Sequence, residues 1–127
     1  MPAPKHKFLV QRSKDAQFKP GFRSYFADRD VGLREATGGQ YMAEVHRAVG
    51  PCPEGGGGMH THDVAFQFNY LLKGSCTMEF EGEGVFTFEP GDVWLQPSGI
   101  KHNFISCSDD CEILEIVSPG TFETHDA

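Results

Sequence analysis

Two stretches decide how this chain reads. The first is His60-Thr61-His62-Asp63-Val64-Ala65-Phe66-Gln67-Phe68-Asn69-Tyr70-Leu71-Leu72-Lys73-Gly74; the second is Gly91-Asp92-Val93-Trp94-Leu95-Gln96-Pro97-Ser98-Gly99-Ile100-Lys101-His102. In an extended strand residues i and i+2 share a face, so His60 and His62 point the same way. Gly91, Pro97 and Gly99 permit tight turns that return the chain. His102 can then approach from a neighbouring strand. Three imidazoles from two separate blocks are the donor set of a transition-metal site. Imidazole nitrogens at about 2.0–2.1 Å suit zinc, and similar nitrogen and oxygen sites suit iron, nickel, copper or manganese.

Outward from these blocks the chain reads as short β segments between turn signals. Candidate strands cover residues 22–27, 40–49, 65–72, 75–81, 85–88, 93–96, 102–106 and 112–117. Residues 75–81 alternate cleanly, with Cys76, Met78 and Phe80 on one face and Ser75, Thr77 and Glu79 on the other. Glu81-Gly82-Glu83-Gly84 reads as a hairpin turn and Gly55 to Gly58 as a loop. Strands about every ten residues, with no strong helical pattern, predict an all-β sandwich or barrel. Residues 1–20 read as an N-terminal arm in which Phe8-Leu9-Val10 adds as an edge strand. No internal repeat or long linker divides the rest.

The 127 residues fit one domain with a core of its own. A hydrophobic fraction of 39% and eleven phenylalanines argue for a folded chain rather than a disordered one. The formal net charge of −7 argues against nucleic acid or an anionic membrane as partner. Residues 1–8 lack an apolar signal-peptide core and no apolar run reaches membrane-spanning length, so the expected location is the cytoplasm. Cys52, Cys76, Cys107 and Cys111 match no zinc-finger spacing, and free thiols are expected there.

The two blocks resemble the motifs of the cupin superfamily. Its first motif is a glycine, five residues, His-x-His, three or four residues, Glu, six residues, Gly. His60, His62 and Gly74 fit it, Gln67 stands where the Glu belongs, and Glu54 occupies the place of the leading glycine. Its second motif is Gly, five residues, Pro-x-Gly, two residues, His, three residues, Asn. Gly91, Pro97, Gly99 and His102 fit, and Ser106 replaces the Asn. The resemblance implies a double-stranded β-helix, the jelly-roll or cupin barrel, over residues 21–127. It also implies one divalent transition metal (iron, nickel, manganese or zinc) held inside by His60, His62 and His102, with Gln67 at the fourth position or just behind it.

Gln67 changes the chemistry of such a site. A Glu would bring one negative charge to the ion, whereas Gln brings a neutral carbonyl oxygen. One charge at ligand distance is worth several kcal/mol even at an effective dielectric near 20. Metal affinity is therefore expected to fall, binding of anionic ligands to improve, and Gln67→Glu to tighten the metal. Some cupin dioxygenases hold iron with three histidines and no carboxylate. The expected function is thus a dioxygenase-type enzyme for a small oxygen-chelating organic substrate. The alternatives are a metal-dependent isomerase or lyase, or a non-catalytic small-molecule-binding protein.

Asn69, on the face of Gln67, and Phe104 and Ser106, on the face of His102 if that strand is regular, are the substrate-pocket candidates. Glu115, among apolar neighbours, reads as outward-facing, and His46 as a histidine without a ligand role. Phe66, Phe68 and Tyr70 lie opposite Gln67 and should form an exposed aromatic row. A homodimer, with strand exchange through residues 5–20, would cover it.

Overall fold

The computed structural model describes residues 5–53 and 55–127. Residues 1–4 of the arm and Glu54 of the first motif lie outside them. Eleven strands and two short helical turns lie among the described residues. The strands are β1 (Lys19–Pro20), β2 (Phe26–Asp30), β3 (Met42–Ala48), β4 (His60–His62), β5 (Phe66–Lys73), β6 (Cys76–Phe80), β7 (Gly84–Phe88), β8 (Val93–Leu95), β9 (His102–Cys107), β10 (Glu112–Ser118) and β11 (Thr124–Asp126). A single helical turn, α1 (Leu33–Ala36), follows β2. No helix among the described residues is long and apolar enough to cross a membrane.

Two antiparallel sheets face each other in a jelly-roll barrel. One runs β1-β2-β3-β10-β5-β8, the other β11-β4-β9-β6-β7. The alternation along β6 sets its sheet: Cys76, Met78 and Phe80 are buried, and the residues between them are half-buried. They meet Leu71, Ile113, Phe26, Tyr25 and Trp94 in the main core. Phe26 and Phe104 pack edge to face at 5.2 Å, joining the two sheets. At one end of the barrel the core gives way to a cavity.

The loop before β4 is fixed by backbone geometry that only glycine tolerates. Gly56 has φ of +74°, and a Cβ there would collide with the carbonyl oxygen of Phe104. Asn103 holds the same loop from below, accepting from the Gly58 amide at 3.1 Å and donating to the Gly55 carbonyl at 2.8 Å. This clamp delivers the chain into β4 beside β9.

One expectation is corrected. Phe8-Leu9-Val10 forms no strand, because Lys19–Pro20 occupies the edge of β2. Parts of the arm touch their own chain. Lys7 N donates to Ala36 O at 2.8 Å, Gln11 Nε2 donates to Asp30 O at 2.9 Å, and Arg47 stacks on Phe18 at 3.8 Å. Strand β11 and helix α1 have too little apolar periodicity to read from sequence. The expected aromatic row is present in part: Phe66 and Tyr70 are exposed, joined by Leu72, but Phe68 is half-buried, while Gln67, Asn69 and Leu71 are buried.

Candidate metal centre

His60 and His62 leave β4 on one face, and His102 lies directly opposite His60 across the β4–β9 pair. Register therefore brings the two motif blocks together. Ring centroids are 4.1 Å apart for His60 and His102 and 4.9 Å apart for each ring with His62. One ring nitrogen from each falls within 4.8 Å of the others.

The hydrogen bonds around the rings decide which nitrogens face inward. Nδ1 of His60 lies 3.2 Å from Gly58 O, Nδ1 of His102 lies 3.1 Å from Ile100 O, and Nδ1 of His62 lies 2.7 Å from Thr124 Oγ1. A carbonyl accepts only, so it favours Nδ1–H and leaves Nε2 as a lone pair. Such partners fix tautomer and ring orientation in metal-ligating histidines. The rings are also held neutral. Burial lowers the pKa of all three, and the neighbouring imidazoles push the same way for His62 and His102, both at about 4. Three neutral imidazoles with one nitrogen of each converging, and with Nε2 left as a lone pair in His60 and His102, fit a divalent transition ion.

These rings open on a cavity of about 440 Å³, walled by both sheets and by Gly120, Thr121, Phe122 and Thr124 before and within β11. Gln67 and Asn69 of β5 and Phe104 of β9 are on its wall, as are Trp94 and Met78. Ser106 is not. Pairing of β6 with β9 shifts by one residue between Met78↔Phe104 and Thr77↔Ser106, a bulge at Ile105. The extra residue turns Ser106 to the exposed face beside Thr77.

Sequence reasoning missed a second group of polar residues on the wall. Glu115 points inward, correcting the outward reading. Its Oε2 accepts from Gln67 Nε2 at 2.5 Å and its Oε1 contacts His46 Nε2 at 2.9 Å. His46 Nδ1 in turn contacts Asp28 Oδ1 at 2.6 Å. Burial opposes a charge on His46, but its hydrogen bonds to the two carboxylates outweigh this and raise its pKa to about 10. Burial likewise pushes the Glu115 carboxyl up, and the His46 contact outweighs it, leaving a lowered pKa. Asp28, His46 and Glu115 thus form a half-buried carboxylate–imidazolium–carboxylate chain ending on Gln67. Glu44, beside Glu115 in the register, also lines the cavity, and burial raises its carboxyl pKa. Two guanidiniums complete the wall. Arg23 Nη2 sits 3.2 Å from Nδ1 of His60, and Arg34 donates to Gly120 O at 2.7 Å. Neither is in a salt bridge among the described residues.

A family model of the cupin domain matches residues 52–117, just over half of the chain and all of the histidine centre. This chain belongs to the cupin family. No curated protein matches it. Among solved structures this cupin is similar to KdgF from Halomonas sp., at 21% identity and a TM-score of 0.67, over 89% of this chain and 94% of that one. It is also similar to the polyketide cyclase RemF from Streptomyces resistomycificus, at 16% identity and a TM-score of 0.76, over 94% and 85%. Oxalate decarboxylase from Bacillus subtilis matches at 20% identity and a TM-score of 0.67, over 94% of this cupin but only 32% of that chain. At these identities the likeness is one of fold.

Proposed function

We propose that this cupin is a metal-dependent enzyme for a small organic anion that chelates through oxygen. The observation that carries the reading is the convergence of three neutral imidazoles on a cavity that also holds Arg23 and Arg34. His60, His62 and His102 would hold the ion. A bound ion would act as a Lewis acid toward the substrate's oxygens or, if redox-active, as a centre for dioxygen chemistry. Nδ1 of His60 cannot both donate to Gly58 O and accept from Arg23. Keeping Nε2 free for the ion selects donation to Gly58, which releases the Arg23 guanidinium to pair with a substrate carboxylate or enolate.

The leading reaction class is dioxygenase type. The three imidazoles are neutral, no carboxylate is among them, and both oxygens of Glu115 are already engaged by His46 and Gln67. Such chemistry asks no acid or base of the protein. The second class is isomerase or lyase chemistry, which needs a proton carrier. Glu44 favours it, being a cavity carboxyl whose pKa burial raises. The names of two similar structures, a cyclase and a decarboxylase, lean the same way.

Oxygen uptake separates the classes. Protein loaded with iron(II) or manganese(II) would be offered α-hydroxy acids, α-keto acids and β-diketones in an oxygen electrode cell. Stoichiometric uptake with substrate loss supports the dioxygenase. Substrate loss without uptake, abolished by Glu44→Gln, supports the isomerase or lyase. No turnover of any of them, despite tight binding, would make the protein a binder. We further propose that a second copy covers the exposed row at Phe66, Tyr70 and Leu72, which continues onto Val93 and Leu95 of β8.

A further inference from the structure

Resting on the metal-centre reading above, we infer that the carboxylate of this centre is Glu115, which supplies the negative charge from behind Gln67 while Gln67 turns its amide oxygen toward the ion. The motif position lost its carboxylate; the neighbouring strand provides one. β5 and β10 are paired, with Asn69 opposite Glu115 and Gln67 opposite Val117, so Gln67 and Glu115 share the inner face as diagonal neighbours. The 2.5 Å contact between them fixes the amide. A carboxylate accepts only, so the NH2 must face Glu115 and the carbonyl must face away. Among the described residues Gln67 Oε1 accepts no hydrogen bond, and it is not an orphaned buried atom; it opens on the cavity.

Glu115 is held ready for this role. His46 contacts its far oxygen and is itself backed by Asp28. One imidazole is bracketed by two carboxyl groups, so acidic side chains outnumber basic ones in this chain. Polarisation through the amide gives Gln67 Oε1 more negative character than a free amide oxygen has, which improves it as a ligand. The same geometry makes a carboxylate at residue 67 awkward, since Gln67→Glu sets two carboxylates in contact and one must then hold a proton.

The test titrates cobalt(II) into metal-stripped protein and measures the melting temperature of the same metal-free samples. Wild type, Glu115→Gln, Gln67→Glu and the double variant Gln67→Glu/Glu115→Gln are compared. Glu115→Gln should weaken cobalt binding about 10–100-fold with little change in fold. Gln67→Glu should lower the metal-free melting temperature. The double variant, which moves the charge from residue 115 to residue 67 and keeps the hydrogen bond, should recover both properties. A merely structural Glu115 would leave the cobalt affinity of folded Glu115→Gln at the wild-type value. Wild-type affinity in Glu115→Gln, or a folded double variant binding no better than Glu115→Gln, would overturn the inference and leave the metal centre standing. No cobalt binding by wild type would remove the metal centre itself, and this inference with it.

Discussion

Thr124 Oγ1 lies 2.7 Å from Nδ1 of His62, reaching it across the β4–β11 pair in which the two residues are opposite. The final strand of the chain therefore orients a ring that the motif places sixty-two residues earlier. Thr124→Val keeps the shape and removes the partner. We expect it to lower metal affinity about 10–100-fold, whereas Thr124→Ser keeps it. Metal titration of the two variants checks this; equal loss in both would assign the effect to packing.

The Asp28–His46–Glu115 chain makes stability depend on pH. His46 has a pKa raised from 6.5 to about 10, so its contribution is complete below pH 6.5 and is lost as pH rises toward 10. Glu115 has a pKa lowered from 4.5, so its contribution is present above pH 4.5 and is lost as pH falls through the folded value. From this chain the melting temperature should be highest between pH 4.5 and 6.5 and decline on the alkaline side. His46→Ala leaves two half-buried carboxylates without their partner and should cost about 1–3 kcal/mol. It should also flatten the alkaline decline in thermal melts from pH 6 to 10. A variant that keeps the decline would locate the pH dependence elsewhere.

Asn103 and Ser106 are three residues apart in β9 and should behave oppositely. Asn103→Ala strips the loop clamp from Gly58 N and Gly55 O and should cost about 1–3 kcal/mol in denaturant unfolding. Ser106→Ala lies on the exposed side of the bulge and should stay within about 0.5 kcal/mol of wild type, with unchanged ligand binding. Loss of ligand binding in Ser106→Ala would restore it to the pocket.

That contrast shows what was legible in the sequence. The positions of His60, His62 and His102 were legible because turn glycines and strand alternation are local signals. The burial of Gln67 and Asn69, opposite the exposed Phe66 and Tyr70, followed from the same alternation. Ser106 was misread because a bulge at Ile105 breaks the alternation and leaves no mark in composition. Glu115 was misread for another reason. Ile113 and Val117 flank it on the inner face, but Leu114 and Ile116 flank it on the other, so both faces of β10 read as apolar. Only long-range pairing with β3 and β5 shows that it faces His46 and Gln67. Arg23 lies in an irregular segment, where no period predicts direction.

The exposed apolar face predicts self-association. Leu95 is 58% exposed, and Tyr70, 39% exposed, sits in the next strand. Tyr70→Lys/Leu95→Lys should convert a dimer to a monomer in sedimentation equilibrium, with metal content unchanged. A wild-type protein that is already monomeric at micromolar concentration would contradict the dimer.

The most direct measurement is elemental analysis of the purified protein beside His60→Ala/His62→Ala. The account predicts about one equivalent of a transition metal per chain in wild type, from the single three-imidazole cluster, and none in the variant. Wild type that carries no metal, even after reconstitution with iron(II), manganese(II), nickel(II) or zinc, would contradict it. So would a variant that retains its full complement.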